Sequence, residues 1–401
     1  MTTMADTAAL EHAGPATART AVRIEQIGTL ALIGMAAAVH FSIAVAQTLF
    51  AVSALCWIAL MVIRGDRFAA PTFFWPLVAL GALTLVSAAF SPQPAVSFAD
   101  TKQLLLFLIV PVAYRFATTS NASTMVTVTV SAAAASAAYG IFQYGLLDYN
   151  ELGMRVRGTL GHWMTYSGLL MLVIAVALAR ILFSQRDRLW AALVMPALTV
   201  AVIVTFTRSA LVGTCAAAAV LLLLKDFRLV ALLPVALAVF FTVAPTNLTA
   251  RYISIFDLTN ATNRDRLAML REGRQMIRAH PIVGIGPNMV EQLYSDYRDS
   301  DAVEETNPHL HNVPLQIAAE RGLPALGAWL CFVATVLLGL MRGLRARHDV
   351  ALRAAALAAM TAMLAAGLFE YNFGDSEFLM LLLLVITLPA AAERADSDRT
   401  A

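Results

Sequence analysis

Long apolar runs dominate this chain and constrain what it can fold into. Hydrophobic residues make up 59% of the 401 residues and charged residues only 13%, against about 25% charged residues in soluble domains. A helix needs about 20 apolar residues to cross the hydrocarbon core of a bilayer, and most of the runs approach that length. Because a helix satisfies its own backbone polar groups in lipid, the pattern predicts an all-α integral membrane protein.

Twelve runs are predicted to be transmembrane helices: residues 25–41, 43–63, 71–90, 101–118, 121–144, 161–184, 188–206, 208–224, 229–245, 322–341, 350–370 and 375–392. Two of the boundaries are inferred from length. As one helix, residues 189–224 would extend about 54 Å, so the chain must turn near Arg208. The same argument divides residues 25–63 near His40.

Lys and Arg are concentrated in alternate short loops, which places the N-terminus in the cytoplasm by the positive-inside rule. An even number of spans returns the C-terminus to the same side. The predicted organisation has five parts: a cytoplasmic tail (1–24), spans one to nine (25–245), a large outer loop (246–321), spans ten to twelve (322–392) and a second cytoplasmic tail (393–401).

The outer loop is far longer than an ordinary connection and has helical segments of its own. Residues 263–279 have a helical pattern that stops at His280-Pro281, and a Gly-rich turn follows at 284–288. A second helix is expected to start at Asn312 or Pro314. On the first helix, four arginines form one stripe that fits a solvated or headgroup-facing surface: Arg264, Arg271, Arg274 and Arg278.

Two other arginines require partners. Arg266 lies on the opposite face of the loop helix, where a buried guanidinium is costly unless it is paired. It binds either an anionic ligand or an acidic side chain. Arg208 lies at the apex of an apolar helical hairpin, where it either binds a ligand or snorkels to the interface. Because a guanidinium fork suits phosphate oxygens, two convergent arginines indicate a diphosphate site.

His309 and His311 are the only closely paired histidines in the chain. A neutral imidazole is the usual general base at neutral pH, which makes His311, just before the second loop helix, a candidate catalytic residue. Metal binding by the pair is the weaker interpretation, because their spacing comes with no third ligand. A purely structural role is the remaining alternative.

Five residues are weaker candidates for contacting substrate, and His309 is one of them. Arg155, Arg157 and His162 flank Gly158-Thr159-Leu160-Gly161 at a junction between loop and helix, where backbone amides favour an anion. They could equally be interfacial anchors. Lys102 lies at the start of a span near Asp100, where a local ion pair is the competing interpretation.

Several classes of function are disfavoured. The net charge of +2 is too small to indicate a nucleic-acid partner. The three cysteines lie in apolar runs without metal or disulfide spacing. The chain has no nucleotide-binding motif, and neither cofactor nor metal is predicted.

The combination of these motifs resembles the O-antigen ligase and polymerase superfamily. The resemblance rests on Arg266, the segment His280-Pro281-Ile282-Val283-Gly284-Ile285-Gly286-Pro287, the segment His311-Asn312-Val313-Pro314-Leu315-Gln316 and the triplet Glu320-Arg321-Gly322. The turn Thr207-Arg208-Ser209-Ala210 and the segment 157–162 resemble the ligase branch most.

The resemblance implies a GT-C-like membrane glycosyltransferase of the bacterial inner membrane whose active site faces the periplasm, so that the outer loop is periplasmic. The implied reaction transfers O-antigen polysaccharide from undecaprenyl diphosphate to a lipid A-core acceptor in lipopolysaccharide biosynthesis. By position, His311 corresponds to the family's histidine, and Arg208 and Arg266 to its arginines. An O-antigen polymerase or a protein oligosaccharyltransferase would use the same donor, and a lipid-linked glycan transporter is the alternative from another class.

Overall fold

The computed structural model describes residues 15–400, with side chains described for residues 17–397. Residues 1–14, which belong to the predicted N-terminal tail, and Ala401 lie outside the described residues. Within the described range the chain is helical, and its only β pairing is an isolated bridge between Asn150 and Arg155. The prediction of an all-α membrane protein is therefore confirmed.

The helices follow one another with short connections. Their bounds are α1 (Pro15–Ala38), α2 (Ile43–Arg64), α3 (Phe74–Ala89), α4 (Pro94–Phe116, partly 3-10), α5 (Thr119–Leu146), α6 (Trp163–Phe183), α7 (Arg188–Ile203), α8 (Arg208–Lys225), α9 (Phe227–Val243, partly 3-10), α10 (Thr246–Ile253), α11 (Ala261–Ala279), α12 (Met289–Gln292), α13 (Tyr294–Tyr297), α14 (Val313–Arg345), α15 (Val350–Ala366) and α16 (Ser376–Thr400).

Each of the twelve predicted spans overlaps one apolar helix of the described range. Eight of these helices are long and apolar enough to cross a membrane, whereas α3, α7, α9 and α15 are shorter. The protein is thus a multi-pass membrane protein, and the exact number of twelve spans stays a prediction.

Both breaks inferred from length are confirmed. Helix α7 ends at Ile203 and α8 begins at Arg208, with Phe206 in the left-handed region at φ 56°. The chain also turns between α1 and α2, at His40. The helix predicted from Asn312 begins at Val313 but continues into the tenth predicted span, with a kink at Gly322 (φ 85°).

The outermost helices extend beyond the predicted spans. Helix α1 begins at Pro15 rather than residue 25, and the carboxylate of Glu25 anchors it by accepting hydrogen bonds from Arg64 (2.8 Å) and Arg115 (3.2 Å). Helix α16 continues to Thr400, through most of the predicted C-terminal tail. The cytoplasmic location of both ends stays a prediction.

The large loop is fixed on the bundle by its glycine turn. The backbone amides of Ile285 and Gly286 donate to the carbonyls of Ala319 and Glu320 at 2.9 Å. A side chain at Gly284 (φ 71°) would lie 2.2 Å from the Glu320 oxygen, so only glycine permits this approach. The turn therefore holds the C-terminal end of α11 against the beginning of α14.

Candidate functional site

A cavity of about 200 Å³ opens where the large loop meets the bundle. The start of α8, one face of α11, the turn before α14 and the turn after α15 form its walls. Its lining residues are Arg208, Ser209, Val212, Ile255, Leu258, Asn263, Arg266, Leu267, Leu270, Leu310, His311, Asn312, Leu368 and Phe369. We call it the first cavity. The three residues predicted to meet, Arg208, Arg266 and His311, are its only ionisable lining residues within the described chain.

Arg208 is the first residue of α8 and only 6% of it is exposed. One guanidinium nitrogen, Nη1, donates to the backbone oxygen of Ser254 at 3.1 Å and to its hydroxyl at 3.3 Å. The other, Nη2, has no hydrogen-bond partner among residues 15–400. Because a buried donor without a partner is costly, Arg208 is poised for an acceptor group that enters the cavity.

Arg208 also lies in a cationic environment. Three other arginines are close enough to repel it: Arg251, Arg266 and Arg155. Burial, and then repulsion by Arg266, lowers the pKa of Arg251. Burial, and then repulsion by Arg251, lowers the pKa of Arg155 to about 10. This clustering of like charges favours the binding of an anion.

Arg266 has an acidic partner and also faces the first cavity, so the two interpretations of this arginine are compatible. Its Nη2 lies 3.9 Å from Oε2 of Glu370, and its side chain is 22% exposed. Burial lowers the pKa of Arg266, and the charge of Glu370 opposes that shift. At 3.9 Å the ion pair is loose, so the guanidinium keeps donors for a ligand.

Glu370 joins the two histidines. Its carboxylate contacts Nδ1 of His311 at 3.0 and 3.1 Å and Nε2 of His309 at 3.0 Å. Burial alone would raise the pKa of Glu370, but its electrostatic interaction with His311 and the hydrogen bonds of both histidines hold that pKa well below its usual range. The carboxylate therefore stays ionised and fixes the His311 ring, which leaves Nε2 of His311 to act on another group.

The backbone around His311 explains why the histidine precedes an asparagine. His311 adopts the left-handed conformation (φ 48°), an uncommon one for a residue with a side chain. The Asn312 side chain caps α14 by accepting from the Leu315 amide (2.9 Å) and donates to the Leu368 carbonyl (3.0 Å). The Val313 amide donates to Gly367 at 2.7 Å. The start of α14 is thus fastened to the turn that carries Glu370.

Glu370 also supplies the third metal ligand that sequence spacing did not provide. One ligand atom each of His309, His311 and Glu370 lie within 4.8 Å of one another, so the trio could hold a divalent cation. The hydrogen bonds within the trio already account for its geometry, and the nearby arginines disfavour a cation.

We therefore expect activity to survive metal removal. Extensive treatment with EDTA, followed by assay in chelator, should leave activity within about twofold of that of the untreated protein. Loss of activity that added Zn²⁺ or Mn²⁺ restores would instead make the trio a metal site.

The weaker candidates for contacting substrate lie in different parts of the structure, outside the first cavity. His162 caps α6 and lines a different cavity, next to His309. Arg155 stacks over Trp163 at 4.9 Å, and exposed Arg157 lies over Tyr149 at 5.8 Å. Neither arginine lines the first cavity.

The ion pair considered between Lys102 and Asp100 is not formed. Asp100 lies 3.7 Å from Arg321 instead, because the kinked first part of α14 brings that buried arginine to the first turns of α4. Lys102 is exposed and lines neither the first cavity nor the one beside His309.

Sequence reasoning missed Glu370 and Arg251. Glu370 ends an apolar run, and an acidic residue at membrane depth is itself a signal of function, although nothing in the sequence pairs it with His311. Arg251 lies in a short polar helix, α10, whose packing against the α7–α8 turn only the fold reveals.

Fold and cavity together define a multi-span helical membrane protein with a cationic, histidine-containing cavity at one end of its bundle. Residues 191–330, which include Arg208, Arg266 and His311, match the family model described as O-Antigen ligase. The match confirms the resemblance to the O-antigen ligase and polymerase superfamily and indicates ligase-type or polymerase-type activity. None of the curated proteins compared with the chain matches it.

Proposed function

We propose that the protein is an inverting glycosyltransferase that joins O-antigen polysaccharide, carried on undecaprenyl diphosphate, to a lipid A-core acceptor at the periplasmic face of the inner membrane. The observation that carries the proposal is the unpartnered Nη2 of buried Arg208 in the cavity that Arg266 and His311 also line. A diphosphate supplies the acceptors that Arg208 lacks.

The proposed reaction is a single displacement. Nε2 of His311 removes the proton from an acceptor hydroxyl as the oxygen bonds to the anomeric carbon of the donor sugar. The bond between that carbon and the diphosphate oxygen breaks, and the oxygen keeps the electron pair. Arg208 and Arg266 stabilise the charge that develops on the leaving diphosphate. No nucleotide is consumed, because the leaving diphosphate drives the transfer.

Glu370 has a positioning role in this mechanism. By accepting from Nδ1 of His311 it fixes the tautomer whose Nε2 is a proton acceptor, and it stabilises the imidazolium that forms. The same logic governs the carboxylate of the serine-protease triad. The apolar residues at the mouth of the cavity, such as Leu258, Leu270 and Phe369, suit the polyprenyl chain.

Changing Glu370 to Gln should lower kcat by roughly 10²–10⁴-fold and change the KM for the donor much less. The amide keeps the shape of the side chain, but it carries no negative charge to stabilise the imidazolium, and its NH2 group, which only donates, replaces one of the two oxygens that contact His311. Turnover at saturating substrates checks this, with Glu304→Gln, a change of an exposed glutamate in the large loop, as the matched control. A folded Glu370→Gln protein with normal kcat would contradict the positioning role.

The identity of the acceptor distinguishes a ligase from a polymerase or an oligosaccharyltransferase. The protein is reconstituted in lipid without nucleotide and is assayed with lipid-linked glycan in three separate reactions. The first contains lipid A-core, the second contains no other acceptor, and the third contains an acceptor peptide. Glycan attached to lipid A-core supports the ligase; a longer lipid-linked glycan or a glycosylated peptide identifies a polymerase or an oligosaccharyltransferase. A folded sample that transfers to none of them contradicts the proposal.

A transporter fits the charge distribution less well. Translocation of a charged headgroup requires a polar path near the middle of the bilayer. Between their ends, the buried faces of α6 and α15 are apolar or small, whereas the arginines and histidines of the site gather at one end. This asymmetry favours chemistry at one membrane face.

A further inference from the structure

A second cavity, of about 240 Å³, adjoins the first. Its lining residues are His162, Met164, Thr165, His309, Glu370, Tyr371, Asn372, Gly374, Asp375 and Phe378. His309 lines this cavity and His311 lines the first, and both bond to the Glu370 carboxylate. The two cavities are thus joined at the histidine–carboxylate group on which the proposed chemistry depends.

The chemistry of the second cavity is unlike that of the first. Neither arginine nor lysine is among its described lining residues, and it contains two acidic side chains, Glu370 and Asp375. An anionic group such as a diphosphate is repelled there. The remaining polar groups are a hydroxyl, a phenol, an amide and two imidazoles, beside the aromatic ring of Phe378. This mixture suits a neutral, hydroxyl-rich ligand.

Hydrogen-bonding capacity is still free in the second cavity. Asn372 is 7% exposed, and its side-chain oxygen has no hydrogen-bond partner among the described residues. Nδ1 of His162 accepts from the Met164 amide at 3.2 Å, which places the ring proton on Nε2 as a donor. Asp375 accepts from the Thr165 hydroxyl and from the Phe378 amide (2.9 Å) and keeps further lone pairs. A sugar hydroxyl can donate to Asn372 or Asp375 and accept from His162.

We propose that the second cavity binds the acceptor sugar, while the first binds the diphosphate of the donor. The assignment rests on the proposed function and adds to it a separate site for the second substrate. The acceptor hydroxyl then approaches from the His309 side of Glu370, and the anomeric carbon from the Arg208 side. His311 is the group that receives the proton.

The test separates the two substrates kinetically. The full-length protein in lipid is assayed with lipid-linked glycan and lipid A-core, each varied in turn. Met164→Trp fills the second cavity and Thr165→Val removes one hydroxyl at nearly constant volume. Met341→Trp, an exposed position at the far end of α14, is the matched control.

We expect the KM for the acceptor to rise about tenfold or more in Met164→Trp and severalfold in Thr165→Val, the range expected for a lost polar or steric fit. The KM for the donor should stay within twofold. Inorganic diphosphate should compete with the donor and not with the acceptor. If both variants fold and neither changes the acceptor KM, or if both substrates are affected equally, the assignment is overturned. Absence of transfer by the wild-type protein would instead count against the proposed function itself.

Discussion

Changing His311 to Ala is expected to abolish detectable glycan transfer while the protein stays folded. A positioned general base contributes roughly 10²–10⁴-fold, and within the described chain His311 is the only imidazole lining the first cavity. Its ring is held by Glu370 at 3.0 Å, so deletion removes both the base and its orientation. Turnover in reconstituted membranes measures the loss.

The matched control is His280→Ala, an exposed histidine of the same loop at the end of α11. It should transfer at close to the wild-type rate. Both variants should bind the lipid-linked donor with unchanged affinity, because the arginines remain. Turnover by His311→Ala at more than about a tenth of the wild-type rate would show that another group accepts the proton.

Changing Arg208 to Lys should cost about 10²-fold or more in turnover, although the positive charge is retained. Removing one preorganised donor from a site of developing negative charge costs about 10²–10³-fold. A lysine cannot donate to Ser254 and to a diphosphate in the same fork geometry. Turnover at saturating donor gives the loss, and the KM for the donor shows whether binding of the ground state falls with it.

Arg278→Lys is the control for this change, because Arg278 is exposed near the end of α11 and lies outside the cavity. It should behave as the wild type. If Arg208→Lys is equally active, charge alone is sufficient. If Arg208→Ala is also active and folded, the diphosphate site is elsewhere.

The parts of the fold that follow from local pattern could be predicted. Helix positions follow from apolar length, and the break at Arg208 follows because one helix of that length exceeds a bilayer. The orientation of α11 also followed from periodicity: Arg264, Arg271, Arg274 and Arg278 are all exposed, while Arg266 faces the cavity.

What required three-dimensional contacts could not be predicted from one sequence. Glu370 is 59 residues from His311 along the chain, and the two segments meet through the hydrogen bonds of Val313 to Gly367 and of Asn312 to Leu368. Likewise, the sequence suggests an ion pair between Asp100 and Lys102, but the packing of α14 places Arg321 next to Asp100 instead. Tertiary contacts between distant segments leave no periodic trace in a single sequence.

In the proposed mechanism, a sugar leaves a lipid diphosphate by direct displacement in the first cavity. The most direct measurement follows one reaction of the wild-type protein with a donor of defined anomeric configuration. It quantifies the released carrier and determines the new linkage by NMR. We predict one undecaprenyl diphosphate released for each glycan transferred, with the anomeric configuration inverted. Release of a monophosphate carrier, or a linkage with retained configuration, would contradict this mechanism.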